Sequence, residues 1–267
     1  MLHSAGMDTE MDRKQFAVPL GIKRLIQSAI THPIVGWVIS RYFGEKIPNW
    51  DCKIYAPSPD LSLRTIAKIY WRFYEKSEVL FVKKYLRSNL DVVELGSSIG
   101  IVSSHIGKNL KPGRRLVCVE ANPGLIPLLK RNLDLNAQQV QCVVVNAAID
   151  YSGSQQVPLY ISNTNTDSSL ANRSNDYVCV NALTLSELIR MYEIDEFALI
   201  CDIEGSEYGI LKHETATLEK CKQLIIELHV CQENARMISI EQMKSSLVTT
   251  HGFKLRLSRG NVFLFER

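Results

Sequence analysis

From residue 90 onward, short apolar runs alternate with longer amphipathic stretches. Residues 91–95, 115–119, 140–145, 197–203 and 223–228 are rich in Val, Ile and Leu and have the length of buried strands. Between them, apolar residues recur at helical spacing, as in Leu125, Ile126, Leu128, Leu129 and Leu133, with Pro123 placed to open that helix. This alternation predicts an open α/β sheet. Residues 151–182 break the rhythm: Ser, Asn, Thr and Asp dominate, with short strand candidates at 157–161 and 177–180. A helix over 183–191 is marked by Thr184 with Glu187 three residues on, the pattern of a capping box. After a helix over 240–250, runs at 253–257 and 261–265 flank Arg259-Gly260 and predict a closing antiparallel hairpin.

The chain before residue 89 reads differently. Residues 1–16 are polar and read as a disordered tail, and residues 17–88 as an N-terminal helical cap. Its first helical stretch, 19–43, must break at His32-Pro33, because a residue before proline is pushed out of the helical region. Residues 46–59, with Pro48, Pro57 and Pro59, read as a loop. Asp60 or Ser62 can cap a helix to about 73, and Val79, Leu80, Val82 and Leu86 mark another over 77–86. Residues 89–267 form the α/β domain.

Composition narrows the class. With 267 residues, 46% hydrophobic and 22% charged, the chain can bury one sizeable core and carry an appendage. A net charge of +3 is too near neutral to argue for nucleic acid on charge alone, and no nucleic-acid partner is expected. The seven cysteines contain no C-x-x-C, and Cys118, Cys142, Cys179 and Cys201 fall in strand-like runs, so buried reduced thiols are expected. No signal-peptide pattern opens the chain, which reads as cytoplasmic. The apolar run 25–40, interrupted by Gln27, Thr31, His32 and Pro33, is too short and polar to span a bilayer. Residues 20–43 are compatible with an interfacial helix in peripheral membrane contact.

Candidate chemistry gathers at the carboxyl ends of the predicted strands, where ligands of open sheets bind. The first strand ends on Glu94 and turns through Gly96, Ser97, Ser98 and Gly100 into a helix. Missing side chains at Gly96 and Gly100 let a ligand approach the backbone. A carboxylate there repels a pyrophosphate but suits the ammonium of an amino acid, which favours S-adenosylmethionine over a dinucleotide. Glu120 ends the second strand, where an acid can accept both hydroxyls of a ribose. The run Asp202-Ile203-Glu204-Gly205-Ser206-Glu207 ends the fourth strand with three carboxylates in six residues. A cap explains Glu207, but burial and like charge would raise the pKa of another member, as a general base requires. Glu227 and His229 end the fifth strand on one face. Asp202, Glu204, Glu227 and His229 could alternatively hold a divalent metal, but no ligand spacing supports one, so none is assigned.

Taken together these motifs resemble the FkbM family of S-adenosylmethionine-dependent methyltransferases. The likeness runs through Glu94-Leu-Gly96-Ser-Ser-Ile-Gly100, Glu120-Ala-Asn-Pro123, Lys130-Arg-Asn132 with Asn136, and Ala148-Ile-Asp150 with Gly153. It continues through Thr184-Leu-Ser-Glu-Leu188, Cys201-Asp202-Ile-Glu204-Gly205-Ser-Glu207 and Glu227-Leu-His229. Ser97, Ser98 and Cys201 depart from the family's common residues, and residues 1–70 fall outside the likeness. The resemblance implies a Rossmann-like seven-stranded sheet sandwiched by helices, with the terminal hairpin as its antiparallel edge. It also implies S-adenosylmethionine as cofactor and O-methylation of a sugar, glycan or natural-product hydroxyl. On that reading Glu94, Gly96, Ser97 and Gly100 hold the methionine end and Glu120 the ribose, with Ala121 and Asp202 also among the cofactor-binding residues. Ala148, Ile149 and Asn122 flank the adenine. Asp202 and Glu204 orient the acceptor, with His229 or Glu204 as base. The loop 162–176 and Tyr74-Glu75 are further candidates for acceptor contacts. A NAD-dependent sugar-modifying enzyme is the first rival, disfavoured by the missing dinucleotide glycines. A non-catalytic S-adenosylmethionine-binding scaffold is the second, disfavoured by the carboxylate cluster.

Overall fold

The computed structural model describes residues 20–58, 60–160 and 177–267. The disordered tail expected over 1–16 and the acceptor loop expected over 162–176 lie outside the described residues. At the centre is a seven-stranded sheet of β3 (Asp91–Leu95), β4 (Arg115–Glu120), β5 (Gln141–Asn146), β9 (Phe197–Cys201), β10 (Cys221–Glu227), β13 (Lys254–Arg259) and β14 (Val262–Glu266). Its order is β13-β14-β10-β9-β3-β4-β5. Strands β10, β9, β3, β4 and β5 run parallel, and β14 pairs antiparallel with β10 and with β13. The predicted terminal hairpin is therefore the antiparallel edge. Chain order reverses between β3 and β9, the switch point over which open sheets bind ligands.

One face of the sheet is packed by α5 (Ile101–Asn109), α6 (Ile126–Asn136) and the N-terminal elements. The other is packed by α7 (Leu185–Met191), α8 (Glu207–His213), α9 (Thr215–Lys220) and α10 (Ile240–Thr249). The capping box at Thr184 and Glu187 forms as predicted, and Ser239 and Gln242 form a second one on α10. A small sheet of β6 (Ala148–Ile149), β8 (Tyr177–Leu183) and β7 (Gln156–Tyr160) stands beyond β5.

The N-terminal part carries α1 (Leu20–Ile30), α2 (Pro33–Phe43), α3 (Leu63–Tyr70) and α4 (Lys76–Tyr85). The break at His32-Pro33 is real, with the His32 ring accepting from the Ile34 amide at the start of α2. Ser62 caps α3. Three details correct the sequence reading. Residues 46–59 are not simply a loop, because β1 (Lys46–Asn49) and β2 (Cys52–Tyr55) form a hairpin with Trp50 at positive φ in its turn. Helix α6 begins at Ile126, after a turn through Pro123. Of the four strand thiols, Cys118 and Cys201 are buried, Cys142 is half-buried and Cys179 is exposed, because β8 leaves that side to solvent.

The hairpin is no free appendage. Ile47, Cys52 and Ile54 enter the same core as Ile99, Ile101 and Leu129. Its outer backbone edge is completed by side chains of α6. Asn132 accepts from the Tyr55 amide at 2.6 Å and donates to the Tyr55 and Ile99 carbonyls at 3.2 and 2.8 Å. Asn136 brackets Lys53 in the same way, at 3.1 and 2.9 Å. The two asparagines of the family-like motif thus weld the N-terminal part to the sheet. Asn132→Ala leaves buried amide and carbonyl groups without partners, and should lower stability by about 2–4 kcal/mol in denaturant unfolding. A change within a few tenths of a kcal/mol would contradict this role.

Candidate active site

The turn after β3 is fixed by contact with the next strand. Gly96 has φ +83°, and a Cβ there would lie 1.7 Å from the Asp202 carbonyl oxygen. Gly100 has φ +86°, and its Cβ would meet Leu129 at 2.8 Å. Only glycine fits both positions. The Gly96 and Ser97 amides donate to the Val119 carbonyl, and the Ser98 amide donates to Glu120 Oε2 at 2.7 Å. The Asn122 amide donates to the other oxygen, Oε1, also at 2.7 Å. Two backbone amides therefore hold a buried carboxylate in one orientation, with lone pairs left for a ligand. Burial raises the Glu120 pKa, against the pull of those amides.

A cavity of about 440 Å³ opens over these strand ends. Its lining divides along the sheet. Val119, Glu120, Ala121, Ala147, Ala148 and Ile149 follow β4 and β5. Asp202, Ile203, Glu204 and Ser206 follow β9, and Glu227 ends β10. Phe73 to Glu78, from the start of α4, and Arg259 to Val262, from the terminal hairpin, complete the wall on the second side. Gly96 and Ser98 lie between the two sets.

Among the predicted site residues, Gly96, Glu120, Ala121, Ala148, Ile149, Asp202 and Glu204 line this cavity; Glu94, Ser97, Gly100, Asn122 and His229 do not. Glu94 lies beneath the turn, 2% exposed, and its carboxylate accepts from the Ser103 hydroxyl. Burial is the main cause that lifts its pKa to about 7. Strand alternation put Glu94 on the inner face, a consequence that reading it as a strand-end residue overlooked. The Asn122 side chain accepts from the Gly124 amide at 2.9 Å, closing its own turn.

Glu75 is the acid that reaches the cavity from the opposite side. It stands before α4 with φ +46°. The Val102 amide, in the first turn of α5, donates to its carboxylate, while Oε2 is buried with no partner. Burial first, then Glu78, Asp202 and Glu94, push its pKa well above the usual range. Glu78 and Glu227 share a hydrogen bond, and burial together with that contact lifts Glu78 to about 8. Asp202 is lifted to about 7 by burial and by the charges of Glu227 and Glu204, and its Oδ1 is buried without a partner. Glu78 was missed by sequence reasoning. Its signal was a charge beside Val79 on the buried face of an otherwise apolar helix stripe.

His229 is held from both sides. Nδ1 lies 3.0 Å from Glu207 Oε1, and Nε2 lies 3.6 Å from Glu204 and 3.8 Å from Glu227. The Glu207 hydrogen bond is the main cause that raises its pKa to about 9. An imidazolium has no lone pair with which to take a proton, which argues against His229 as the base. Glu207 itself is fully buried and also accepts from the Ile203 and Gly205 amides, which shapes the loop after β9.

Two sets of side chains bring ligand atoms within 4.8 Å of one another at this site: Glu78, Asp202 and Glu227, and Asp202, Glu207 and His229. The first, all oxygen, has the donor chemistry of a hard cation site and also of a site for polyol hydroxyls. A third set, Asp51, Cys52 and His105, sits under the β1–β2 hairpin. There Cys52 and His105 are buried and burial holds both neutral, with pKa values of about 12 and about 4.

The model of one family, the methyltransferase FkbM domain, matches residues 95–255. The chain belongs to the FkbM methyltransferase family. S-adenosylmethionine is accordingly its methyl donor, which removes the NAD-dependent rival. No curated protein matches the chain. Among solved structures it is similar to precorrin-6y C5,15-methyltransferase from Geobacter metallireducens GS-15, at 13% identity and TM-score 0.41, covering 72% of this chain and 87% of that one. It is similar to M. jannaschii TYW2 in complex with AdoMet, at 17% identity and TM-score 0.39, covering 82% and 84%. It is also similar to an rRNA methylase from Streptococcus thermophilus, at 12% identity and TM-score 0.39, covering 72% and 95%. These likenesses are too distant to carry an argument about the acceptor.

The His229 contacts give a pH signature. A pKa raised in the folded state contributes stability fully present below about pH 6.5, lost as pH rises through about 9. The contribution is at most about 3 kcal/mol. His229→Gln should flatten this part of the stability–pH curve between pH 6 and 10. An unchanged slope would show that the imidazolium clamp contributes nothing.

Proposed function

We propose that this FkbM-family chain methylates a hydroxyl group of a sugar, a glycan or a hydroxylated natural product. The observation that carries this reading is the division of the cavity into an apolar half with one pinned carboxylate and a half lined by acids. An adenosine suits the first, with its ribose hydroxyls on Glu120 and its base against Ala148, Ile149 and Ala121. The methionine end then crosses the Gly96 turn. Its ammonium suits the unpartnered oxygen of Glu75, which takes over the role that the sequence suggested for Glu94. The acceptor enters on the acidic side, where Glu78, Glu204 and Glu227 can accept hydrogen bonds from several hydroxyls.

Methyl transfer requires in-line approach of the acceptor oxygen to the methyl carbon as the carbon–sulfur bond breaks. The products are a methyl ether and S-adenosylhomocysteine, with one proton released from the hydroxyl. The sulfonium supplies its own electrophilicity, so the chain has to position the reactants and receive that proton. Asp202 is the base of choice, being a cavity-lining carboxylate with an unpartnered oxygen and a pKa near neutrality. His229 acts on Glu204 and Glu207 as a positioning residue. The acidic wall repels a phosphodiester backbone, which supports a small-molecule or glycan acceptor over nucleic acid.

A panel of sugars, glycans and polyols with isotopically labelled S-adenosylmethionine tests the reading, with products read by mass spectrometry. Methyl ethers are expected; methylation confined to nitrogen or carbon would refute it. With an acceptor in hand, kcat should rise with pH through about 7 as Asp202 loses its proton. Asp202→Asn should cost roughly 10²–10⁴-fold in kcat while S-adenosylhomocysteine affinity stays within a few-fold. A variant that turns over normally would remove Asp202 as base.

Glu75 can be tested by binding alone. S-adenosylhomocysteine should bind about tenfold or more tightly than its analogue lacking the amino group, and Glu75→Gln should erase that preference. Retention of the preference in the variant would place the ammonium elsewhere.

A further inference from the structure

Two helices unused by the chemistry above carry an uncovered apolar surface. On α1, Ile22, Leu25 and Ile26 are 48, 72 and 51% exposed, and on α2, Ile34, Trp37, Val38 and Tyr42 are 66, 54, 52 and 81% exposed. The spacing 22-25-26 repeats as 34-37-38, one stripe per helix. The opposite side of α2 is already in use, with Gly36 and Ile39 buried against the rest of the fold. An amphipathic surface helix turns polar residues outward; α2 is apolar on both sides. Such a patch on a single chain marks a contact surface.

The patch continues onto α3 through a series of touching rings. Tyr42 meets Phe43 at 4.7 Å, Phe43 meets Tyr70 at 5.4 Å, and Tyr70 meets Trp71 at 5.0 Å between centroids. Trp71 is itself 42% exposed. Two residues further, Phe73 and Tyr74 line the cavity.

Charge identifies the occupant. Residues 20–44 and 61–74 hold Lys23, Arg24, Arg41, Arg64, Lys68 and Arg72, and no Asp or Glu, although the whole chain is only +3. The rest of the chain is therefore net acidic. Arg24, Arg41, Arg64 and Arg72 are exposed. A second copy meeting this face through a two-fold axis would set these bases against each other. Aromatic and aliphatic side chains on segments whose charged residues are all basic, with Glu45 and Asp60 just outside them, fit an anionic lipid surface.

We propose that α1, α2 and the C-terminal end of α3 dock this chain onto an anionic bilayer. Ile22, Leu25, Ile34 and Trp37 enter the headgroup–acyl boundary, and Arg24, Arg41 and Arg72 meet lipid phosphates. Among the described residues no helix is long and apolar enough to cross a membrane, so the contact is peripheral. Docking would hold the Phe73–Tyr74 wall of the cavity next to the lipid surface.

The test is co-sedimentation of the full chain with vesicles of phosphatidylcholine, with and without phosphatidylserine. Binding to the anionic vesicles is expected, weakened by salt. Both Leu25→Ser/Trp37→Ser and Arg24→Glu/Arg41→Glu should reduce it about tenfold or more, with thermal midpoints near that of the unsubstituted chain. No binding to either vesicle, equal binding to both, or binding unaffected by both double substitutions would overturn the proposal. So would light scattering that shows a dimer dissolved by Leu25→Ser/Trp37→Ser in a chain that ignores vesicles.

Discussion

The site depends on one backbone contact: Gly96 lies against the Asp202 carbonyl, with no room for a Cβ between them. That contact joins the first and fourth strands of the sheet at the point where chain order reverses. Because Gly96 is held there, the turn must run through Ser98 at positive φ, and the Ser98 amide then reaches Glu120. The same closeness places the Asp202 carboxylate, Glu75 and the glycine turn around one cavity. A backbone constraint thus sets the distances on which recognition of a nucleoside and of an amino-acid end would depend.

Electrostatics carries the next level. The cavity gathers Glu75, Glu78, Glu120, Asp202, Glu204 and Glu227, more carboxylates than can stay ionised together in a partly buried space. Two consequences appear in the chain itself. Several acids hold their protons to unusually high pH, and the imidazolium of His229 lies among three carboxylates just behind the wall. S-adenosylmethionine brings an ammonium and a sulfonium, two positive charges suited to such a site.

Much of this was legible in the sequence, and for identifiable reasons. Strand and helix periodicity located every strand of the central sheet, because apolar runs bounded by turn residues have few other uses and the exposed edge strand β13 is marked by its hairpin turn. The chemistry at strand ends pointed to Glu120, Asp202 and Glu204 because ligands of this architecture sit there. What sequence could not supply was side-chain direction. Glu94 and Asp202 both lie near strand ends, yet Glu94 turns into the core and Asp202 into the cavity. Nor could sequence show that Glu204, Glu207 and Glu227 surround His229, one of the two candidate bases. The β1–β2 hairpin was hidden by Pro48, which sits in β1 opposite Lys53, while the outer edge of β2 is completed from a distant helix by Asn132 and Asn136.

The central claim is that a nucleoside with an amino-acid tail occupies this cavity with its ribose on Glu120. Isothermal titration with S-adenosylhomocysteine, run beside Glu120→Ala, addresses it without knowledge of the acceptor. We expect binding in the micromolar range or tighter, weakened by about a hundredfold or more in the variant, in line with the loss of a charge-assisted pair of hydrogen bonds. Equal affinity in the two proteins would contradict the placement of the ribose. Absence of binding in the unsubstituted chain would contradict the site as a whole.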